Sequence, residues 1–239
     1  MVFLVINHDE HYCSEQIEWL SEYFHVKTVP IGEGVFIVGL AGPSGSGKST
    51  IARHVASRLK GCVISMEHYS IVMNDLPLEQ RAKENYDAPF AMDVSLLESH
   101  VRNYAAGHAI DTPIVDFSKH LHVTDRHERI PAASLLIVEG ILALHFPQLR
   151  SCFDLLIYLE APDNVCYHRR KVRDITERQR SLEFIQSQYE NNVLPAARRY
   201  LLPSKRFANL VLDSEADLAT VEKRLYDAIV EQRALARVQ

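Results

Sequence analysis

From residue 35 onward the chain is marked by unbroken apolar runs rather than by strict apolar–polar alternation. Val35-Phe36-Ile37-Val38, Cys62-Val63-Ile64-Ser65-Met66, Leu135-Leu136-Ile137-Val138, Leu155-Leu156-Ile157-Tyr158-Leu159 and Leu210-Val211-Leu212 each have the length of a strand. A strand that is apolar at consecutive positions is buried on both faces, as in a parallel sheet covered by helices. Between these runs the pattern takes a helical period, over 50–56, 92–104, 163–176, 182–192 and 217–237. The alternation predicts an α/β fold with a parallel sheet sandwiched by helices. In such sheets ligands sit at the carboxyl ends of the strands, so the residues just after each run are the ones to inspect.

Residues 1–34 have a different pattern. They predict a small strand–helix–strand extension, with Ile17, Leu20 and Tyr23 as the inner stripe of a helix near Ser14–Phe24. Ile31-Gly32-Glu33-Gly34 then forms a flexible joint. The extension carries no recognisable chemistry, and packing or partner contact is its expected role. The organisation expected is therefore an extension over 1–34, a main domain over 35–215, and a C-terminal helix over 216–239 packed on or near it.

Composition narrows the function classes. At 239 residues the chain suits one large α/β domain with an appendage. A formal net charge of −5 argues against a general nucleic-acid binder. Cys13, Cys62, Cys152 and Cys166 are scattered without metal-ligand spacing and suit a reducing cytoplasm. No apolar run approaches a membrane span, and the first residues lack the basic start and length of a signal peptide. A cytoplasmic protein without nucleic-acid or membrane partners is expected.

The candidate chemistry begins where the first run ends. Gly42-Pro43-Ser44-Gly45-Ser46-Gly47-Lys48-Ser49 satisfies the phosphate-binding pattern G-x-x-x-x-G-K-[ST], with a strand before it and a helix after it. That context argues against a chance glycine- and serine-rich turn and predicts a P-loop NTPase fold. Glycines let the backbone wrap a phosphate chain, so that successive N–H groups and the helix N-terminus face negative charge. Gly42, Ser44, Gly45, Ser46, Gly47, Lys48, Ser49 and Thr50 are the expected nucleotide contacts. Lys48 is expected to reach the outer phosphates and Ser49 to hold Mg²⁺.

Two other strand ends carry acids. Glu139 follows Leu135–Val138 and is placed to hold Mg²⁺ directly or through water. Glu67 follows Cys62–Met66 and can orient or deprotonate an attacking hydroxyl, or share the metal. Asp87, in Asn85-Tyr86-Asp87-Ala88-Pro89, suits either two sugar hydroxyls or an ordinary turn. Arg169-Arg170-Lys171-Val172-Arg173-Asp174, followed by Arg178-Gln179-Arg180, suits a mobile lid whose guanidiniums cover a triphosphate. The competing reading is a solvated helix face paired with Asp174 and Glu177. His120 and His122 form an H-x-H pair without an evident third ligand, and a substrate-recognising loop histidine is at least as good an account.

Taken together, six segments resemble the uridine–cytidine kinases of the phosphoribulokinase/uridine kinase family, from about Val35 to Leu212. They are Ala41–Ser49, Asn85–Pro89, Asp116-Phe117 with His120, Val138-Glu139-Gly140-Ile141-Leu142, Arg169–Arg178, and Pro203-Ser204-Lys205-Arg206-Phe207-Ala208. The resemblance implies phosphorylation of a nucleoside 5′-hydroxyl by ATP or GTP with Mg²⁺, and a homo-oligomer. It assigns Asp87 to the ribose, His120 to the base, and Gln188 to the substrate's neighbourhood. Arg170, Arg173, Arg178 and Arg180 are assigned to the lid and phosphates. Lys48, Glu67, Arg173 and Arg178 then form the expected catalytic set. Two positions depart from the family's pattern: Glu67 stands where an Asp is usual, and Val115 where a base-contacting Tyr is usual. These departures keep two rival readings open, a kinase of another small hydroxyl compound and a catalytically weak nucleotide-binding regulatory module.

Overall fold

The computed structural model describes residues 34–71, 75–81, 83–119 and 121–236. The expected strand–helix–strand extension, with its helix near Ser14–Phe24, lies outside them, as does His120. The strands are β1 (Phe36–Ala41), β2 (Cys62–Ser65), β3 (Ile110–Asp116), β4 (Leu121–Ile130), β5 (Leu135–Glu139), β6 (Leu155–Glu160) and β7 (Leu210–Asp213). The helices are α1 (Lys48–Arg58), α2 (Leu78–Arg81), α3 (Val94–Ala105), α4 (Pro147–Arg150), α5 (Asp163–Thr176), α6 (Leu182–Gln188), α7 (Leu194–Ala196) and α8 (Leu218–Leu235).

Among the described residues, five strands form one parallel sheet in the order β2-β5-β1-β6-β7. The continuous apolar runs are explained by burial on both faces. On β1, Phe36, Val38 and Leu40 point to one side, where Ile51, Ala52 and Val55 of α1 pack with Val221, Leu225 and Ile229 of α8. Ile37 and Ala41 point to the other, toward Leu97, Val101 and Tyr104 of α3. Phe153 packs directly over Gly39, in space that a Cβ there would occupy. Asp93 caps α3 by accepting from the Leu96 amide at 3.0 Å, and Asp217 caps α8 by accepting from the Thr220 amide at 3.0 Å.

Register decides what meets at the carboxyl edge. Leu40 of β1 lies opposite Glu139 of β5, and Ser65 of β2 lies opposite the same Glu139. The loop leaving β1, the acid ending β5 and the acid after β2 are therefore brought to three adjacent strand ends.

The structure departs from the strand–helix reading in two places. Residues 110–130 form an antiparallel hairpin, β3–β4, outside the main sheet. The segment around Phe117 thus forms its turn, and His122 lies on β4 rather than in a loop. The expected helix over 182–192 ends as a regular α-helix at Gln188 and continues as π-helical turns, Tyr189–Val193 and Ala197–Leu201, on either side of α7. Pro195 lies between them and has no amide proton to donate along the helix, which favours such widening.

Candidate active site

The loop between β1 and α1 is shaped by two glycines with left-handed backbone. Gly45 has φ +89° and Gly47 has φ +98°. A Cβ on Gly45 would collide with the Cys166 carbonyl oxygen, so the loop is seated against α5. Gly47 is the N-cap of α1 and offers no capping side chain, which leaves the first amides of the helix available to an anion. The Ser46 hydroxyl is buried and has no hydrogen-bond partner among the described residues.

Lys48 is buried and donates through Nζ to the Pro43 carbonyl at 3.0 Å, folding back over its own loop. Burial draws its pKa down, against the opposing pull of Glu139 and Glu67. The Ser49 hydroxyl donates to Glu139 Oε1 at 3.0 Å, joining the start of α1 to the end of β5. Thr50 is exposed.

Glu67 follows β2 in a 3₁₀ turn, Met66–Tyr69, and accepts from Arg178 Nη2 at 3.1 Å. Burial would raise its pKa, but Arg178, Arg173 and Lys48 outweigh that and hold it at about 2. It borders an open cleft that Ser70, Tyr86 and Ile141 also line. Its apolar lining includes Met66, Met92, Val115 and Phe117. Its polar lining includes Arg170, Arg178, Arg180 and Gln188. Asp87 borders the same cleft, and burial raises its pKa, opposed by Arg170 and assisted by Glu67. The Asp87 amide donates to Asn85 Oδ1 at 3.1 Å, so the turn reading also holds for this segment. His122 Nε2 lies 2.6 Å from the Ser70 carbonyl and ties the hairpin to the 3₁₀ turn.

Apart from the exposed Arg169, the arginines of α5 and the turn after it do not form a solvated face. Arg170 is buried and donates to Ser44 Oγ and to Gln188 Oε1, each at 2.7 Å. Arg169 reaches the Ser46 carbonyl at 3.3 Å. Arg180 donates to Gln188 Oε1 at 3.1 Å and to the Phe117 carbonyl at 3.4 Å. Arg173 turns to Asp174, at 2.7 and 2.9 Å, rather than to the phosphate loop. Asp174 is wholly buried and is shared by Arg170, Arg173, Arg178 and Arg180. In sequence it reads only as a partner on a solvated face, because its burial is set by packing.

A family model described as Phosphoribulokinase / Uridine kinase family matches residues 37–221. The chain belongs to this family. It is 35% identical over 185 residues to a uridine kinase of Shewanella amazonensis, covering 74% of this chain and 86% of the relative. A uridine kinase of Clostridium perfringens is 38% identical over 178 residues, covering 73% and 85%. In fold, the crystal structure of phosphoribulokinase from Rhodobacter spheroides aligns with a TM-score of 0.56 at 16% identity, over 75% of this chain and 70% of that one.

As a member of this family the chain has a nucleotide-binding loop, and its donor set fits the expected metal. Ser49 and Glu139 offer hard oxygen ligands side by side. Among the described residues no group of three or more His, Cys, Asp and Glu side chains could hold a metal ion unaided. Among the described residues no helix is long and apolar enough to cross a membrane.

Proposed function

We propose that this chain is an ATP-dependent nucleoside kinase, transferring the γ-phosphoryl group to the 5′-hydroxyl of a uridine-like acceptor. The observation that carries this is the position of Glu67. Its carboxylate lies one strand end away from the Ser49–Glu139 pair and borders the cleft that also contains Asp87. The family relatives named uridine kinase at 35% and 38% identity support the same acceptor class.

In this reading the loop from Gly42 to Gly47 wraps the donor phosphates, and Lys48 leaves the Pro43 carbonyl to neutralise them. Ser49 and Glu139 would hold Mg²⁺, which when bound neutralises phosphate oxygens. Asp87 accepts the ribose hydroxyls, with Gln188 beside it. Val115 and Phe117 form the wall against which the base lies, and the resemblance adds His120. Glu67 orients the attacking hydroxyl. Because its arginines hold it near 2, it is a weak base, which suits a loose phosphoryl-transfer transition state that asks for positioning more than early proton removal. Arg170, Arg173, Arg178 and Arg180 stabilise the charge of the transferred group. ATP is the proposed donor with GTP as its alternative, and a homo-oligomer and a cytoplasmic location belong to this proposal.

The test is turnover of the purified protein with ATP, Mg²⁺ and a panel of nucleosides, read as nucleoside monophosphate formed. Uridine or cytidine is expected to be phosphorylated at ordinary kinase rates, about 1–100 s⁻¹. ADP release that depends on none of the nucleosides would overturn the acceptor assignment.

A further inference from the structure

Asp174 occupies a position that neither the phosphate loop nor the acceptor cleft requires on its own. Its carboxylate is 0% exposed. It lies 2.7 Å from Arg173, 3.1 Å from Arg180, 3.6 Å from Arg170 and 3.8 Å from Arg178. Arg170 stands four residues before it, one helical turn back along α5, and Arg178 four residues after it, in the turn beyond the helix. Arg180 comes back by a different route. Gln179 adopts φ +52°, the chain reverses, and the Arg180 amide donates to the Asp174 carbonyl at 3.0 Å.

Three of the four arginines link this carboxylate to other parts of the site, and Arg170 and Arg180 also meet at Gln188 Oε1. Arg170 also bonds Ser44 in the phosphate loop, and Arg178 also bonds Glu67. Arg180 also bonds the Phe117 carbonyl at the hairpin turn. Arginine does not shed its charge when crowded, so this fan cannot relax by losing protons. Packing buried guanidiniums together is costly without a counter-charge, and a single carboxylate accepts from several at once.

We propose that Asp174 is the positioning residue of this site, whose carboxylate spaces four guanidiniums so that the donor loop and the acceptor cleft are held in one geometry. The activity it serves is the kinase reading above. It touches neither substrate, and it acts through Arg170 toward the donor and through Arg178 and Arg180 toward the acceptor. Removing its charge while keeping its shape leaves the site more positive but its arginines unspaced. Such a change should spare donor binding and damage turnover.

The experiment compares Asp174→Asn with the unmodified protein by ATP titration calorimetry and by steady-state kinetics with uridine. The kcat of D174N is expected to fall roughly 10²-fold, as for misplacement of reacting groups by about 1 Å. The Kd for ATP is expected to stay within about threefold or to tighten, because phosphate binding gains from the added net charge. An unchanged kcat, or a Kd for ATP that weakens in parallel with kcat, would overturn the proposal. Thermal unfolding of D174N, Arg180→Gln and their double variant provides an arm independent of activity. The double variant, with charge balance restored, is expected to melt no lower than D174N alone, whereas additive losses would count against Asp174 as the hub. Should the unmodified protein phosphorylate no nucleoside, the kinase reading fails, and the unfolding cycle still decides the role of Asp174.

Discussion

Arg178 donates through Nη2 to Glu67 Oε2 at 3.1 Å while its guanidinium lies 4.6 Å from the centre of the Phe117 ring. One side chain from the turn after α5 therefore touches both the strand-end carboxylate and the hairpin. A planar guanidinium serves this purpose where an ammonium would not, since it can bond in its plane and stack on its face.

Glu67 is the residue on which the chemistry is most exposed to test. Glu67→Gln keeps the shape and one acceptor oxygen but removes the charge that orients the hydroxyl and pairs with Arg178. It is expected to lower kcat roughly 10²-fold, as for misplacement of reacting groups by about 1 Å, with the Kd for ATP little changed. Single-turnover phosphorylation of uridine at saturating ATP provides the measurement. A kcat within threefold of the unmodified protein would remove Glu67 from the reaction.

The same carboxylate is expected to make stability depend on pH. Its pKa is about 2 in the folded chain against an ordinary 4.5, so its ionised form favours the folded state. The stabilisation is fully present above about 4.5 and is lost as pH falls toward about 2. In Mg²⁺-free buffer, the stability gap between the unmodified protein and E67Q should narrow between pH 5 and pH 3. Urea unfolding at several pH values measures it, and a gap that widens on acidification would contradict the ion pair.

Gly45→Ala tests the cradle. Its φ of +89° disfavours any side chain, and the new methyl would meet the Cys166 carbonyl, a backbone atom that cannot swing away. The variant is expected to lose about 1–3 kcal/mol of stability. Its KM for ATP should rise as the loop is pushed off α5. Gly107→Ala offers the control, since Gly107 also has positive φ but nothing lies within 4 Å of a Cβ there. Thermal melts with and without ATP separate the two.

The phosphate loop and the acids at the ends of β2 and β5 were legible in the sequence because each is local: a motif, or one residue after an apolar run. The hairpin was not. β4 carries Asp125, Arg126, His127, Glu128 and Arg129 in succession, and β3 contains Pro113 beside a break in register. Neither strand offers the unbroken apolar run that marked the parallel sheet, because the hairpin stands outside that sheet. The hub at Asp174 was hidden for another reason. Its neighbours Arg170 and Arg178, four residues away on either side, and the adjacent Arg173 are visible in the sequence, but its complete burial and the return of Arg180 depend on packing and on the reversed backbone at Gln179. The π turns around Pro195 likewise kept 182–192 from being one regular helix.

Phe117 permits a last separation of roles. Its ring is half-buried, 5.9 Å from the ring of His68 and beneath Arg178, and it lines the cleft that Glu67 and Asp87 also border. It has two means of acting, by contact with the base or by support of Arg178. Base–aromatic contact is worth about 1–3 kcal/mol, so Phe117→Ala should raise the KM for uridine by roughly 5- to 100-fold if the ring touches the base. Support of Arg178 alone would instead leave that KM in place and lower kcat, because Arg178 faces Glu67 and the transferred group. Phe117→Leu divides the cases further, since it fills the wall but offers Arg178 no π face. The expected outcome is a raised uridine KM in F117A, partly restored in F117L, with the KM for ATP unchanged in both. If F117A and F117L lose kcat equally at constant KM, Phe117 is a platform for Arg178 and the base lies elsewhere.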